Sequence, residues 1–226
     1  MSRTQVLCLL ALGALAGMPW AIFVWSPPEA RMNDYFRIFF IHIPFAWWGL
    51  FSLFTVFASS IGFLWRRRPC FDNWAQAAIE TGVLFSAITL ATGMVWAKLA
   101  WGVWWRWEPK LFTTFLLCLM YAGCIFLRNS GKNGASSKKM CSVLAIAAFM
   151  NVPFIFFSSR WLQGAHPHAL VLKGNFAAEM LPPLVFCVIG AGIVWLALTM
   201  LRFRQITVLD RLDKVHSISS REGKND

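Results

Sequence analysis

Six long stretches of apolar residues divide this chain, and none of them contains Lys, Arg, Asp or Glu. They cover residues 6–25, 38–65, roughly 81–97, 111–127, 141–159 and 181–201. An α-helix needs about 20 apolar residues to cross the hydrocarbon core of a bilayer. The pattern therefore predicts an all-α polytopic membrane protein with six transmembrane helices and with both termini on the same side of the membrane.

The first two stretches are unusual in length. Residues 6–25 could instead be a signal peptide with Arg3 as its basic region, although 20 uncharged residues are long for such a segment. Residues 38–65 are more than a bilayer needs, so this helix should tilt or project beyond the membrane at one end. We expect His42, near its start, to lie at or above the membrane interface.

The composition also indicates a membrane protein. Of 226 residues, 58% are hydrophobic and 14% are charged, and the mean hydropathy is +0.57, whereas soluble domains contain about 25% charged residues. These values exclude an ordinary soluble enzyme, and the length leaves no room for a separate ATPase domain. The six cysteines form no CxxC motif, so neither a thiol oxidoreductase nor a zinc site is indicated.

The net charge of +11 comes from the segments between the stretches. It does not indicate nucleic-acid binding, because no basic segment belongs to a recognisable binding module. The side that carries both termini has 14 Lys and Arg residues and the other side has 7, which together are the chain's 21. Because Lys and Arg accumulate in cytoplasmic loops, this asymmetry predicts that both termini face the cytoplasm.

These features define two parts of the chain. Residues 1–204 form one six-helix domain, with a tryptophan-rich loop at about 96–110. Residues 205–226 are polar and are expected to be a poorly ordered cytoplasmic tail.

The tryptophan-rich loop contains five tryptophans within twelve residues, at positions 96, 101, 104, 105 and 107. An interfacial aromatic belt uses fewer, so we favour a flat aromatic platform for a planar ligand. Lys98, Arg106 and Lys110 could meet acidic groups on the rim of that ligand. A planar, largely apolar molecule with carboxylates describes a porphyrin, and it describes a quinone less well because quinones lack the acidic rim.

Two histidines lie on the same predicted face as this loop. His42 is near the start of the second stretch, and His166 follows the fifth stretch. Either one alone could be a structural, hydrogen-bonded histidine, but two histidines that flank a tryptophan platform could ligate haem iron from opposite faces. His168 competes with His166, and spacing alone does not decide between them.

Three motifs carry a resemblance to a known family. Residues 101–111, WGVWWRWEPKL, resemble the WGxWWxWDxRLT signature of the haem-handling proteins of cytochrome c maturation. Residues 41–47, IHIPFAW, resemble an IHxPxAW segment, and residues 151–167 resemble an NxP…S…WW…LHQ region. Through these motifs the chain is identified as a member of the haem exporter protein C (CcmC) family over roughly residues 1–204.

The resemblance implies a function. Haem b, as a transported ligand, would bind at the periplasmic face of the bacterial inner membrane, with His42 and His166 as axial ligands. The protein would deliver it to the periplasmic haem chaperone CcmE, together with the small membrane protein CcmD and the ABC transporter subunits CcmA and CcmB, with no turnover chemistry of its own. The other residues expected to contact haem are Lys98, Trp101, Trp104, Trp105, Arg106, Trp107, Glu108 and Lys110.

The chain departs from the family signature at several positions. Glu108 stands where Asp is usual, and Pro109 follows it where a small residue is usual. Lys110 replaces an Arg that could form two parallel hydrogen bonds. Ala97 and Leu99 replace the Gly and Pro that usually precede the signature. Recognition of the chaperone could therefore differ in detail, whereas the tryptophans and the histidines are present.

Two other classes of function are alternatives to haem delivery. A small secondary transporter would have paired charges near the bilayer centre, or helices broken by Gly and Pro in related halves of the chain; the sequence has neither. A quinone-dependent membrane oxidoreductase remains an alternative, and the absorption spectrum of the purified protein would distinguish it, because haem has an intense Soret band and quinone does not.

Overall fold

The computed structural model describes residues 2–30, 32–130, 134–161 and 177–222. Within these ranges the chain forms α-helices and no β-strand. The helices are α1 (Arg3–Trp20), α2 (Phe39–Arg66), α3 (Pro69–Trp101), α4 (Pro109–Asn129), α5 (Gly134–Phe149), α6 (Val152–Trp161) and α7 (Leu181–Glu222). A π-helical turn, Ala21–Trp25, continues α1, and 3-10 turns, Asp34–Ile38 and Ala178–Met180, precede α2 and α7.

Among the described residues, six helical segments are long and apolar enough to cross a membrane. They are Arg3–Trp25, Asp34–Arg66, Pro69–Trp101, Pro109–Asn129, Ser136–Ile155 and Ala178–Asp213. Each overlaps one of the predicted stretches, so the prediction of an all-α protein with six spans is confirmed. The chain is a multi-pass membrane protein.

The fifth predicted stretch contains two helices rather than one. α5 ends at Phe149 and α6 begins at Val152. Pro153 favours this break, because proline has no N–H for the helical ladder and, in a continuous helix, its ring would clash with the carbonyl group of Phe149, four residues earlier. The Asn151 side chain holds the break against α4 by donating a hydrogen bond to the carbonyl oxygen of Thr113 (2.8 Å).

The seventh helix runs further than the sequence indicated. An irregular tail was expected after Arg204, but α7 continues to Glu222. Neither Gly nor Pro interrupts residues 193–222, and the apolar residues Val208, Leu212 and Val215 follow one another at helical spacing. The expectation of disorder is therefore wrong as far as Glu222.

The helix termini define two ends of the bundle. At the end called here the His42 end, α2 begins, α3 ends and α4 begins; at the opposite end, the Asp72 end, α2 ends, α3 begins and α4 ends. Pro69 and Pro109 are the first residues of α3 and α4, a position where the missing N–H of proline has no cost. Gly102 ends α3 in a left-handed conformation (φ 77°).

The central pair of helices, α2 and α3, is held to α7 by a tryptophan. The indole Nε1 of Trp48 donates to the carbonyl oxygen of Val188 (2.8 Å), and its ring stacks on Trp195 with centroids 5.4 Å apart. A Cβ atom at position 192 would lie 2.3 Å from the Trp48 ring, so only glycine allows this approach. On the other side of the pair, α5 packs against both α2 and α4.

Candidate functional site

A cavity of about 310 Å³ lies between α2, α3 and α4 and is bounded at one end by the segment that joins α3 to α4. Small-molecule sites in proteins usually have volumes of roughly 300–1,000 Å³. The deeper wall is aliphatic and includes Leu50, Leu53, Leu90, Leu117 and Ile155. Since a helix rises 1.5 Å per residue, Leu53 lies about 16 Å further along α2 than His42. The cavity therefore extends from the His42 end into the apolar bundle.

His42 is on the wall of this cavity. It occupies the first turn of α2, after the 3-10 turn Asp34–Ile38. Its Nδ1 lies 3.0 Å from the hydroxyl oxygen of Thr92 on α3, and its ring meets Trp96 edge-on with centroids 5.9 Å apart. The imidazole is thus held against α3 while it faces a space large enough for a ligand.

The tryptophan-rich segment is less loop-like than the sequence indicated. α3 continues through Trp101, so Trp96 is helical, and only residues 102–108 lie between α3 and α4. Trp101, Trp104 and Trp105 line the cavity. Trp107 lies outside the lining and is 78% exposed.

The indole rings do not form one flat surface. The planes of Trp105 and Trp107 meet at 79°, with centroids 5.8 Å apart. Edge-to-face contacts of this kind are favourable for aromatic pairs, and a turn between two helices directs successive side chains in different directions. Trp105 and Trp107 therefore do not form the expected flat platform, whereas Trp101, Trp104 and Trp105 line the cavity.

The three basic residues named from the sequence have different surroundings. Lys110, in the first turn of α4, lines the cavity. Lys98 donates to the carbonyl oxygen of Gly102 (2.9 Å) on the exposed surface. Arg106 pairs with Glu108 (3.2 Å) and lies over the ring of Trp101 (5.7 Å to the centroid). The structure thus brings Lys110 to His42, and it places Lys98, Arg106 and Glu108 outside the cavity lining.

One buried polar atom of a cavity-lining residue lacks a hydrogen-bond partner among the described residues. The Nε1 of Trp105 is buried and has no hydrogen-bond partner among the described residues. A buried N–H group without an acceptor costs roughly 1–3 kcal/mol. A ligand that supplies an acceptor at this point would recover that free energy.

Sequence reasoning missed Thr92 and Gly93, which contact the His42 ring. Both lie inside an apolar stretch, and the only signal was a pair of small residues, one of them polar, on the helix that packs beside His42. His166 and His168, the two alternatives for a second ligand, lie outside the described residues.

Comparisons with known proteins give one consistent answer. Residues 2–218 match the protein family described as Heme exporter protein C. Proteins of that name from Haemophilus influenzae and Bradyrhizobium diazoefficiens are each 29% identical to this chain, over 88% of it and 80% of the first relative, and over 79% of it and 69% of the second. The Heme exporter protein C of Escherichia coli is 28% identical over 85% of this chain and 78% of the relative.

Proposed function

The chain belongs to the haem exporter protein C family, and on that premise we propose that it binds haem b in the cavity beside His42 and delivers it for cytochrome c maturation. The observation that carries the proposal is the chemistry of the cavity wall, where tryptophans, aliphatic residues, the His42 imidazole and the Lys110 ammonium group meet. A planar, apolar macrocycle with iron at its centre and carboxylates on one edge complements all of these groups.

Each part of haem has a matching group in the cavity. The imidazole of His42 is a suitable axial ligand for iron. The faces and edges of Trp101, Trp104 and Trp105 offer rigid apolar contact to the macrocycle. Lys110 and the unpartnered Nε1 of Trp105 are donors for a carboxylate, which would be a propionate of haem.

For the second axial ligand we propose His166. This assignment rests on the family motif at residues 151–167. Pro167 supports it, because a following proline biases the backbone of His166 toward extended conformations, which help a loop to present a side chain. His168 is the alternative.

We further propose that the His42 end faces the periplasm and that the membrane is the bacterial inner membrane. The excess of Lys and Arg on the side of the termini, 14 against 7, supports this orientation. Haem held at this face would be accessible to the chaperone CcmE, with CcmD, CcmA and CcmB as the membrane partners implied by the family. The protein would position haem for transfer and would have no turnover chemistry of its own.

Removal of the axial ligands tests the proposed site. His42→Gly and His166→Gly should each lose haem during purification, because each opens one coordination position on iron. Added imidazole should restore much of the Soret absorbance per protein by filling the vacated position. His168→Gly is the matched control and should retain haem.

Two outcomes of this experiment would change the proposal. Full haem content in His42→Gly would overturn the assignment of the cavity as the haem site. Imidazole rescue at position 168 but not at position 166 would move the second ligand to His168.

Reporter fusions test the proposed orientation separately. A fusion after Lys139 should report the cytoplasm and a fusion after Lys173 should report the periplasm. The reverse pattern would contradict the placement of the His42 end, although it would not alter the residues that form the cavity.

A further inference from the structure

We infer that the hydroxyl group of Thr92 holds the imidazole of His42 in one tautomer and leaves the lone pair of Nε2 free to bind iron. Thr92 is thus a positioning residue, which acts on the ligand through His42. The inference rests on the proposed function, in which His42 is an axial ligand of haem. It deepens that function by naming the group that makes His42 a competent ligand.

The hydrogen bonds of Thr92 determine which partner donates. Its Oγ1 lies 2.8 Å from the carbonyl oxygen of Ile88 and 3.1 Å from that of Thr89, both on the preceding turn of α3. Carbonyl oxygens only accept hydrogen bonds, so the single hydroxyl proton of Thr92 is directed to the backbone. At the third contact, 3.0 Å from His42 Nδ1, we therefore assign the hydroxyl oxygen as the acceptor.

It follows that the proton of the neutral imidazole is on Nδ1. In a neutral imidazole with its proton on one nitrogen, the other nitrogen carries the free lone pair. Nε2 is thus prepared to bind a metal before the ligand arrives.

The packing around the ring fixes its direction as well as its tautomer. A Cβ atom at position 93 would lie 3.2 Å from Cε1 of His42, so the ring rests directly on the backbone of Gly93. Trp96 contacts the ring edge-on one turn further along α3. Three groups of α3 therefore contact the ring of His42 on α2: the hydroxyl oxygen of Thr92, the backbone of Gly93 and the ring of Trp96.

Partners that accept a hydrogen bond from a ligating histidine raise its basicity, and their removal usually costs 10–100-fold in metal affinity. We therefore expect Thr92→Val to weaken haem binding by about tenfold or more and to shift the midpoint potential of bound haem to more positive values. Thr92→Ser, which keeps the hydroxyl group, should restore both. Thr55→Val is the matched control, because among the described residues the Thr55 hydroxyl bonds only its own helix, at Phe51 (2.9 Å), and Thr55 lies outside the cavity lining.

Repeating the Thr92→Val substitution in the His42→Gly variant distinguishes this role from a merely structural one. In His42→Gly, haem retained with 1-methylimidazole has an axial ligand without an N–H group. Adding Thr92→Val to this variant should leave haem affinity and midpoint potential unchanged, whereas a structural defect would lower the affinity in both backgrounds.

The outcomes separate the two proposals. Wild-type affinity and potential in Thr92→Val, together with haem loss in His42→Gly, would overturn the role of Thr92 and leave the haem site intact. Full haem binding in His42→Gly would instead overturn the proposed function itself.

Discussion

The two ends of the bundle differ in how their charged groups are paired. At the Asp72 end, buried charges are paired within the protein: the fully buried Asp72 accepts a hydrogen bond from Arg128 (2.5 Å) and forms an ion pair with Lys138 (3.1 Å). Nearby, Arg202 contacts both carboxylate oxygens of Glu80 (2.5 and 3.0 Å). These pairs join α3 to α4, α5 and α7.

At the His42 end, the cavity-lining residues Trp105 and Lys110 are not paired in this way among the described residues. Trp105 Nε1 has no acceptor among the described residues, and those residues form no ion pair with Lys110 within 4 Å. Burying polar groups in apolar surroundings is unfavourable unless they are paired. We infer from the contrast that the Asp72 end stabilises the fold, and the lack of such pairing at the His42 end supports the proposed ligand site.

The largest expected effect is therefore on stability, at the Asp72 end. Asp72→Asn leaves Arg128, which is only 7% exposed, without its anion. Removing one partner of a buried ion pair usually costs about 3–5 kcal/mol. We expect the free energy of unfolding, measured by denaturant titration in micelles, to fall by about this amount, while haem bound per folded protein stays the same.

The control for this prediction is an exposed ion pair at the other end. Asp34 pairs with Arg37 (2.9 Å) and its side chain is 70% exposed, so Asp34→Asn should cost less than about 1 kcal/mol. If Asp72→Asn lost haem without loss of stability, the division between the two ends would be wrong.

The sequence was sufficient for the architecture because each span is a local property. An uncharged run of helical length indicates a membrane crossing independently of how the helices pack. Each of the six predicted runs overlaps a helix of the described residues that could cross a membrane. Pairings across the bundle are not local: Asp72 and Arg128 are 56 positions apart, and nothing in either segment identifies the other as its partner.

The site could be predicted only in part, for a similar reason. His42 and the tryptophans are unusual residue types in an apolar chain, so their identities were enough to mark them. Thr92 is ordinary, and its importance depends on which face of α3 meets α2. Lys98 and Lys110 could not be distinguished, because the difference depends on where α3 ends and α4 begins.

The difference between Lys98 and Lys110 gives a test of the His42 end with a smaller expected effect. Lys110 lines the cavity, whereas Lys98 is committed to the carbonyl oxygen of Gly102 on the exposed surface. A hydrogen bond to a charged group contributes roughly 1.5–3 kcal/mol, and 1.4 kcal/mol corresponds to about tenfold in affinity. Lys110→Met should therefore weaken haem binding by about ten- to a hundredfold, as measured by Soret titration.

The comparison with Lys98 makes the result specific to the cavity. Lys98→Met removes the same charge from the same end of the bundle, yet it should change haem affinity by less than about twofold, because an exposed lysine contributes little. Lys110→Arg should retain most of the affinity, since a cation remains at the cavity wall. Neither substitution to Met should lower the free energy of unfolding, because neither lysine belongs to a buried ion pair of the described residues. Equal losses of affinity in the two Met variants would mean that a general positive potential, and not one ammonium group at the cavity wall, attracts the carboxylates of haem.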